Sequence, residues 1–367
     1  MPGQPPDESI ALLAELARQA GAAGDPEVLS GRPDGLVVRV GHLVVKSHPA
    51  DTDPAALATR LHLAAEPLLH EILVPPIPSD GNLLVRRAGR LLSLWPFAQP
   101  VDPADPEAIP WAQAAELLAR LHRTPLPDCD HPGHPGGDHP DHPGGDRPDH
   151  PGADHPGHPG APLAGISPRR VDSGHKHAGM TGGTGDRAGV PATSGPARVY
   201  RALQRLRAAG DAADPATASV VRHAFATLPD LSPFAGPGDQ ATLVHGDFHL
   251  GQLVRWPGGE EEPWRLIDVD DLGVGDPVWD LARFAGYFAA AILDPIAWER
   301  FLNAYRWAGG PAVPEGDPWA VLDVPARALV IQAAALAVAK AGLEGRELDE
   351  WDVALLDSCR RMRSAVS

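Results

Sequence analysis

Within Leu243–Arg255, LVHGDFHLGQLVR, the carboxylate of Asp247 stands on a loop between two short β-rich runs, and the amide of Gln252 follows five residues later. The next such run, WRLID, ends on Asp268, 16 residues past Gln252. One carboxylate that can orient and deprotonate a hydroxyl, with an amide and a second carboxylate offering oxygens to Mg²⁺, is the set that phosphoryl transfer requires. Asp270, two residues on, can serve as a further ligand or as support for Asp268. A second feature lies far upstream. Only three of the 31 basic residues are lysines (Lys46, Lys176, Lys340), and Lys46 closes the apolar stretch LVVRVGHLVVK. A lysine also commonly ends an edge strand as a charge against aggregation, so both readings stand at this position.

The elements that must hold these groups follow from periodicity and from turn residues. Asp7–Ala20 carries Ile10, Leu13, Leu16 and Ala17 at helical spacing. Leu36–Lys46 reads as a hairpin around Gly41, and Leu83–Arg87 with Arg90–Leu94 as two more strands around Gly89. Asp53–His70, opened by an Asp-Pro cap, reads as a helix, as do Pro110–His122, Arg198–Ala209 and Pro215–Leu228. Beyond the short strands that flank Asp247 and end at Asp268, the chain reads as helices over Pro277–Leu293, Pro295–Trp307, Pro325–Gly342 and Asp349–Arg363. The expected class is α+β: a small mixed lobe over residues 1–98 and a larger, mainly helical lobe over 99–367. Residues 128–196 interrupt the second lobe. That stretch holds 16 of the 39 Gly and 12 of the 42 Pro and few large apolar residues, so it cannot offset its ordering entropy and reads as an insert.

Composition narrows the partners. The 367 residues carry a formal charge of −17, and no basic stripe suited to nucleic acid is present. The longest strongly apolar run, Ala328–Ala339, has 12 residues, short of the roughly 20 that span a bilayer, and the N-terminus has no signal-peptide pattern. Two cysteines give no disulfide framework. A cytoplasmic monomer without membrane or nucleic-acid partners is expected.

His245-Gly246-Asp247-Phe248-His249 through Gln252, then Ile267-Asp268 and Gly275-Asp276-Pro277 to Asp280-Leu281-Ala282, resemble the core of the aminoglycoside phosphotransferase-like kinases. Gln where the family usually has Asn, and the style of IDVDDLGVGDP, are most similar to the bacterial maltokinase and actinobacterial glucosamine kinase branch. The resemblance covers about Leu36–Arg363 without the insert. It implies a protein-kinase-like bilobal fold that uses ATP and Mg²⁺, with Asp247 as catalytic base and Gln252, Asp268 and possible further ligand Asp270 as metal ligands. Lys46 matches the lysine on the nucleotide's phosphates, held by a helix glutamate, Glu66 before Glu71. Trp95, Pro96, Phe97 and Ala98 fall where the interlobe linker would present its backbone to adenine, although Trp95 also suits a core. His249 and Asp280 brace the catalytic loop in this family, His249 at the acceptor side; Asp276 suits a helix cap.

For the acceptor, Glu260–Asp294 holds nine acids against Arg265 and Arg283, which favours a cationic or neutral hydroxylated molecule. An amino sugar fits, glucosamine phosphorylated at its 6-hydroxyl first, then aminoglycosides and maltose. Trp351 and Asp352 could close the pocket, the indole on the sugar face and the carboxylate on an ammonium. A non-catalytic reading remains beside these: a nucleotide- or metal-binding pseudokinase that relies on the seven histidines of the insert between His131 and His158.

Overall fold

Val38, Val40, Leu43 and Val45 alternate along two strands, and their buried faces meet one apolar stripe of a helix. The computed structural model describes residues 7–32, 35–102, 109–126, 189–234, 236, 241–259 and 261–364. In the first lobe, α1 (Asp7–Gln19) lays Leu13, Leu16 and Ala17 on β2 (Gly35–Val40) and β3 (Leu43–Ser47). These strands belong to an antiparallel sheet of order β1-β2-β3-β5-β4, completed by β1 (Pro26–Arg32), β4 (Val85–Arg87) and β5 (Arg90–Pro96). β1 has no apolar alternation; it is an edge strand paired only with β2, and periodicity did not reveal it. β5 is buried on both faces because Leu92 and Leu94 join the cluster of α1, β2 and β3 while Trp95 joins the larger core that includes α3 and α6.

α2 (Pro54–Ala64) starts as expected, with Asp53 accepting from the backbone N–H groups of Ala55 and Ala56. It stops well before His70. Glu66 precedes Pro67, which disfavours helical backbone at the preceding residue, so Glu66 is extended and a 3₁₀ turn follows at Pro67–Leu69.

β6 (Gln99–Pro100) carries the chain out of the first lobe and pairs with β8 (Leu253–Arg255), which pairs with β9 (Trp264–Leu266). β7 (Thr242–Val244) pairs with β10 (Gly273–Gly275). Around these lie α3 (Trp111–Arg123), α4 (Gly195–Ala208), α5 (Pro215–Phe225), α6 (Val278–Ala289), α7 (Pro295–Trp307), α8 (Trp319–Glu344) and α9 (Glu350–Ser364). α8 starts before Pro325 and is long and apolar enough by composition to cross a membrane, which counting the apolar run alone missed; 67% of its apolar window is buried, against α4, α6 and α9 among others.

The residues expected to end the insert belong to the fold instead. Val190 is buried, Thr193 N–H donates to Val274 carbonyl at 2.9 Å, and Val274 N–H donates to Pro191 carbonyl at 3.0 Å, so 190–193 lie along β10. Composition could not separate them, because their partners are backbone groups of Val274, far along the chain. Ser194 then caps α4, and Gly195 meets α6 so closely that a Cβ would lie 2.0 Å from the Trp279 ring. Gly195→Ala is therefore expected to cost about 1–3 kcal/mol, read as a lower urea midpoint at unchanged m-value.

Candidate active site

The loop that carries Asp247 is fixed from beneath. His245 N–H and Gly246 N–H donate to the two oxygens of Asp280, at 2.7 and 2.9 Å. Asp280 is 2% exposed, and Nε2 of His122 on α3 lies 3.0 Å from its Oδ2. Ala312 N–H donates to the Tyr305 hydroxyl at 3.0 Å, which leaves the hydroxyl proton for His122 Nδ1 at 2.8 Å and the Nε2 proton for Asp280. Burial pushes the Asp280 carboxyl up, but these donors outweigh it and hold it below the ordinary value. Gly246 turns the loop at φ +84, where a Cβ would fall 2.2 Å from Asp271 carbonyl, so only glycine fits.

Asp247 emerges from this turn with its side chain 39% exposed. Two guanidinium groups reach the same oxygen: Arg198 Nη1 of α4 at 2.9 Å and Arg283 Nη2 of α6 at 2.6 Å, both to Oδ1. Burial raises the carboxyl's pKa, yet the two arginines bring it below the ordinary value. His249 Nδ1 accepts from Gly251 N–H at 3.0 Å and so shapes the turn that carries Gln252. Burial, then Arg283, lowers the His249 pKa to about 4, so the ring is neutral at pH 7.

The other expected groups converge beside it. Gln252 is buried and its Nε2 donates to Asp268 Oδ2 at 3.2 Å, which leaves Oε1 as its remaining ligand atom. Asp268 has φ +67, a costly backbone for a side chain with a Cβ and one that persists where function requires it. Lys46 Nζ lies 2.5 Å from Asp268 Oδ1 and 2.8 Å from Asp270 Oδ2, so an ammonium sits between the two carboxylates. Burial lowers the lysine pKa and the two carboxylates reverse this, for a net upward shift. Two carboxylates around one cation, with an amide on Asp268 whose oxygen is uncommitted, are a hard-oxygen donor set of the type that fits Mg²⁺. Among the described residues no three His, Cys, Asp or Glu side chains group to hold a metal.

Other expectations change. Neither Glu66 nor Glu71 meets Lys46: Glu66 is exposed beside Pro67, and Glu71 Oε2 accepts from Arg120 at 2.7 Å. The side of α2 nearest the 268–272 turn instead offers Arg60, whose Nε donates to Leu272 carbonyl at 2.9 Å. His48, buried two residues past Lys46, contacts Asp270 Oδ2 at 3.2 Å and Ser93 Oγ at 2.8 Å. Trp95 is a core aromatic whose Nε1 donates to Ser93 Oγ; Trp95 and Pro96 lie in β5, paired with Val44 and Leu43. Phe97 N–H donates to His42 carbonyl and its ring lies under Arg39, so Phe97 and Ala98 form the crossing between β5 and β6. Asp352 is buried, accepting from Arg346 at 2.6 Å and from Asp349 N–H, and is not available to an ammonium. Trp351 remains 48% exposed, edge-on to Tyr287. Asp276 caps α6 through Val278 N–H. The insert histidines and Glu260 lie outside the described residues.

The expected acidity of the cleft is not realised, since Asp280 is buried, Asp276 and Asp294 cap helices, and Arg60, Arg198 and Arg283 enter. Arg283 is signalled by its place three residues past Asp280 on one helix; Arg198 and His48 carry no local signal. Asp280→Asn should leave an amide NH₂ facing a backbone N–H and cost about 3 kcal/mol or more. Because the Asp280 pKa is lowered on folding, its contribution is present above about pH 4 and lost as pH falls further, so denaturant midpoints of wild type and variant should converge toward acid.

Three solved structures are similar over nearly the whole chain: a thermostable mutant of aminoglycoside phosphotransferase APH(4)-Ia in apo form (12% identity, TM-score 0.53, 97% of this chain and 99% of that one); spectinomycin phosphotransferase APH(9)-Ia with ADP and spectinomycin (13%, 0.50, 100% and 96%); and wild-type aminoglycoside 2'-phosphotransferase-IIIa with GDP (13%, 0.50, 99% and 100%). At these identities they establish the kinase-like two-lobed fold. No curated protein matches the chain. The phosphotransferase enzyme family (APH) matches residues 27–319, so the chain, with its Asp280 clamp, half-buried Asp247 and paired carboxylates on Lys46, belongs to that family.

Proposed function

We propose that the chain is an ATP- and Mg²⁺-dependent kinase that transfers the γ-phosphate to a hydroxyl of an amino sugar, with glucosamine at its 6-hydroxyl as the first candidate. The observation that carries phosphoryl transfer is the convergence of Lys46, Asp268, Asp270 and Gln252 in one cluster, with Asp247 presented on the adjoining loop. Asp268, Gln252 Oε1 and Asp270 would hold Mg²⁺, which neutralises charge on the nucleotide phosphates. Lys46, released from the carboxylates, would then meet those phosphates, and Asp247 takes the hydroxyl proton. The ADP in the APH(9)-Ia complex supports the choice of nucleotide. We place the division of the lobes at Ala98, where β5 hands over to β6, and the enzyme as a monomer in the cytoplasm.

Trp351 supports a sugar. Its exposed indole stands against Tyr287, one helical turn beyond Arg283 on α6, and Arg283 is the residue that donates to Asp247. The exposed Glu350 beside it can take an ammonium. Arg198 and Arg283 at the base favour a second reading, a neutral sugar such as maltose; aminoglycosides, polycationic, fit least well beside them.

ADP release screened over glucosamine, glucose, maltose, choline and aminoglycosides should be largest with glucosamine. A glucosamine signal no higher than water overturns the acceptor. Asp247→Asn should reduce turnover by about 10²–10⁴-fold with ATP binding kept; retained turnover would remove Asp247 as the base. Deleting 129–183 should preserve turnover, as a kinase requires and a metal store does not. Deletion through Pro196 should abolish it, because 190–196 dock on β10 and start α4.

A further inference from the structure

Arg198 is the fourth residue of α4 and only 7% exposed. Its Nη1 donates to Asp247, while its buried Nε has no hydrogen-bond partner. Folding does not favour this placement. Taking a guanidinium out of water costs several kcal/mol, a missing partner adds to that, and a cation in the first turn of a helix faces the positive end of the macrodipole. The surroundings nevertheless enforce it. The hydrogen bonds of 190–193 to β10, the Ser194 cap and the Gly195 contact with Trp279 fix where α4 begins. α4 thus spends stability to bring one cation to one oxygen.

We propose that Arg198 is a positioning residue for phosphoryl transfer: with Arg283 it pins Oδ1 of Asp247 from two helices and leaves Oδ2 as the oxygen that takes the acceptor's proton. Arg283 alone approaches from α6, where its Nε is also tied to Phe248 carbonyl at 3.1 Å. A carboxylate gripped from one side can rotate about its Cβ–Cγ bond; gripped from α4 and α6 together it cannot. In the step, the hydroxyl proton passes to Oδ2 as the acceptor oxygen bonds to the γ-phosphorus and the bond from that phosphorus to the β–γ bridging oxygen breaks, releasing ADP. The inference rests on Asp247 being the base.

The test compares full-length wild type, Arg198→Met, Arg198→Lys and Arg198→Gln by ADP release, with the best acceptor of the screen or with water where none is phosphorylated. Arg198→Met should lower kcat about 10- to 100-fold while KM for ATP stays nearly constant, and Arg198→Lys should recover part of the loss. The charged and titratable groups facing Asp247 are Arg198 of α4, Arg283 of α6 and His245 and His249 of its own loop. Losing one cation should therefore move the acid limb of kcat/KM to higher pH, whereas loss of packing alone would lower activity equally at every pH. An unchanged kcat, an unmoved acid limb, or a KM for ATP that rises in step with the loss of kcat overturns the proposal. Where Arg198→Met does not fold, as judged by thermal melting, Arg198→Gln decides by the same readings. A wild type without any Asp247-dependent ADP release overturns the phosphotransfer reading itself. The crystal structure of Arg198→Met then decides: two orientations of the Asp247 carboxylate support the grip, and one unchanged orientation overturns it.

Discussion

Two adjacent backbone N–H groups, of His245 and Gly246, donate to opposite oxygens of one buried carboxylate, Asp280. Such a carboxylate is tolerable inside a protein only when every lone pair it turns inward is satisfied, and here His122 supplies a further donor while Tyr305 fixes the histidine's tautomer. The clamp joins α3, α6 and α7 to the turn before Asp247. The direction in which the next side chain leaves the loop is therefore set by packing between helices rather than by the loop's own preferences. The glycine at 246 allows this, since the turn passes against Asp271 carbonyl with no room for a Cβ.

On that platform the site divides electrically into two ends. Asp268 and Asp270 share the Lys46 ammonium, with His48 beneath Asp270 and Arg60 holding the carbonyl of Leu272 behind them. This end suits a hard cation and phosphates. Asp247, held by two guanidiniums and flanked by a neutral His249, forms the other end. The first lobe meets the second through Lys46 and His48 on the carboxylates of Asp268 and Asp270 and through Arg60 on Leu272 carbonyl, with no lysine–glutamate pair, because α2 ends before Pro67 and Glu66 is exposed. Helix α2 is thus tied to the 268–272 turn through a backbone carbonyl.

Much of this was legible in the residues. The helix starts at Pro54, Pro215 and Pro295 were read from the sequence, the first from its Asp-Pro cap, and in the structure Asp53, Asp214 and Asp294 each cap through their own carboxylate. The hairpin around Gly41 and the pair around Gly89 followed from alternation, since one face of each strand must be buried. β1 and β6 were not legible, because edge and crossing strands two to seven residues long bury too little to impose a pattern. The residues 190–193 were hidden among Gly and Pro for the same reason: their place is set by hydrogen bonds to β10, which leave no mark on side-chain composition.

The sequence by itself determined which candidate groups come together. Asp247, Gln252 and Asp268 lie close along the chain, on a strand–loop–strand unit whose spacing holds them near one another whatever surrounds it. Only the tertiary structure decided how each group is held and how strongly charged the cleft is. Arg198 reaches Asp247 across 49 residues, His48 reaches Asp270 across 222, and of the acids counted between Glu260 and Asp294, Asp276 and Asp294 hold helix starts, Asp280 is buried in the clamp, and Asp268 and Asp270 are paired with Lys46. Counting charges along a chain says nothing of which are neutralised by partners from distant elements, because Coulomb and hydrogen-bond energies depend on separation in space and on exclusion of water.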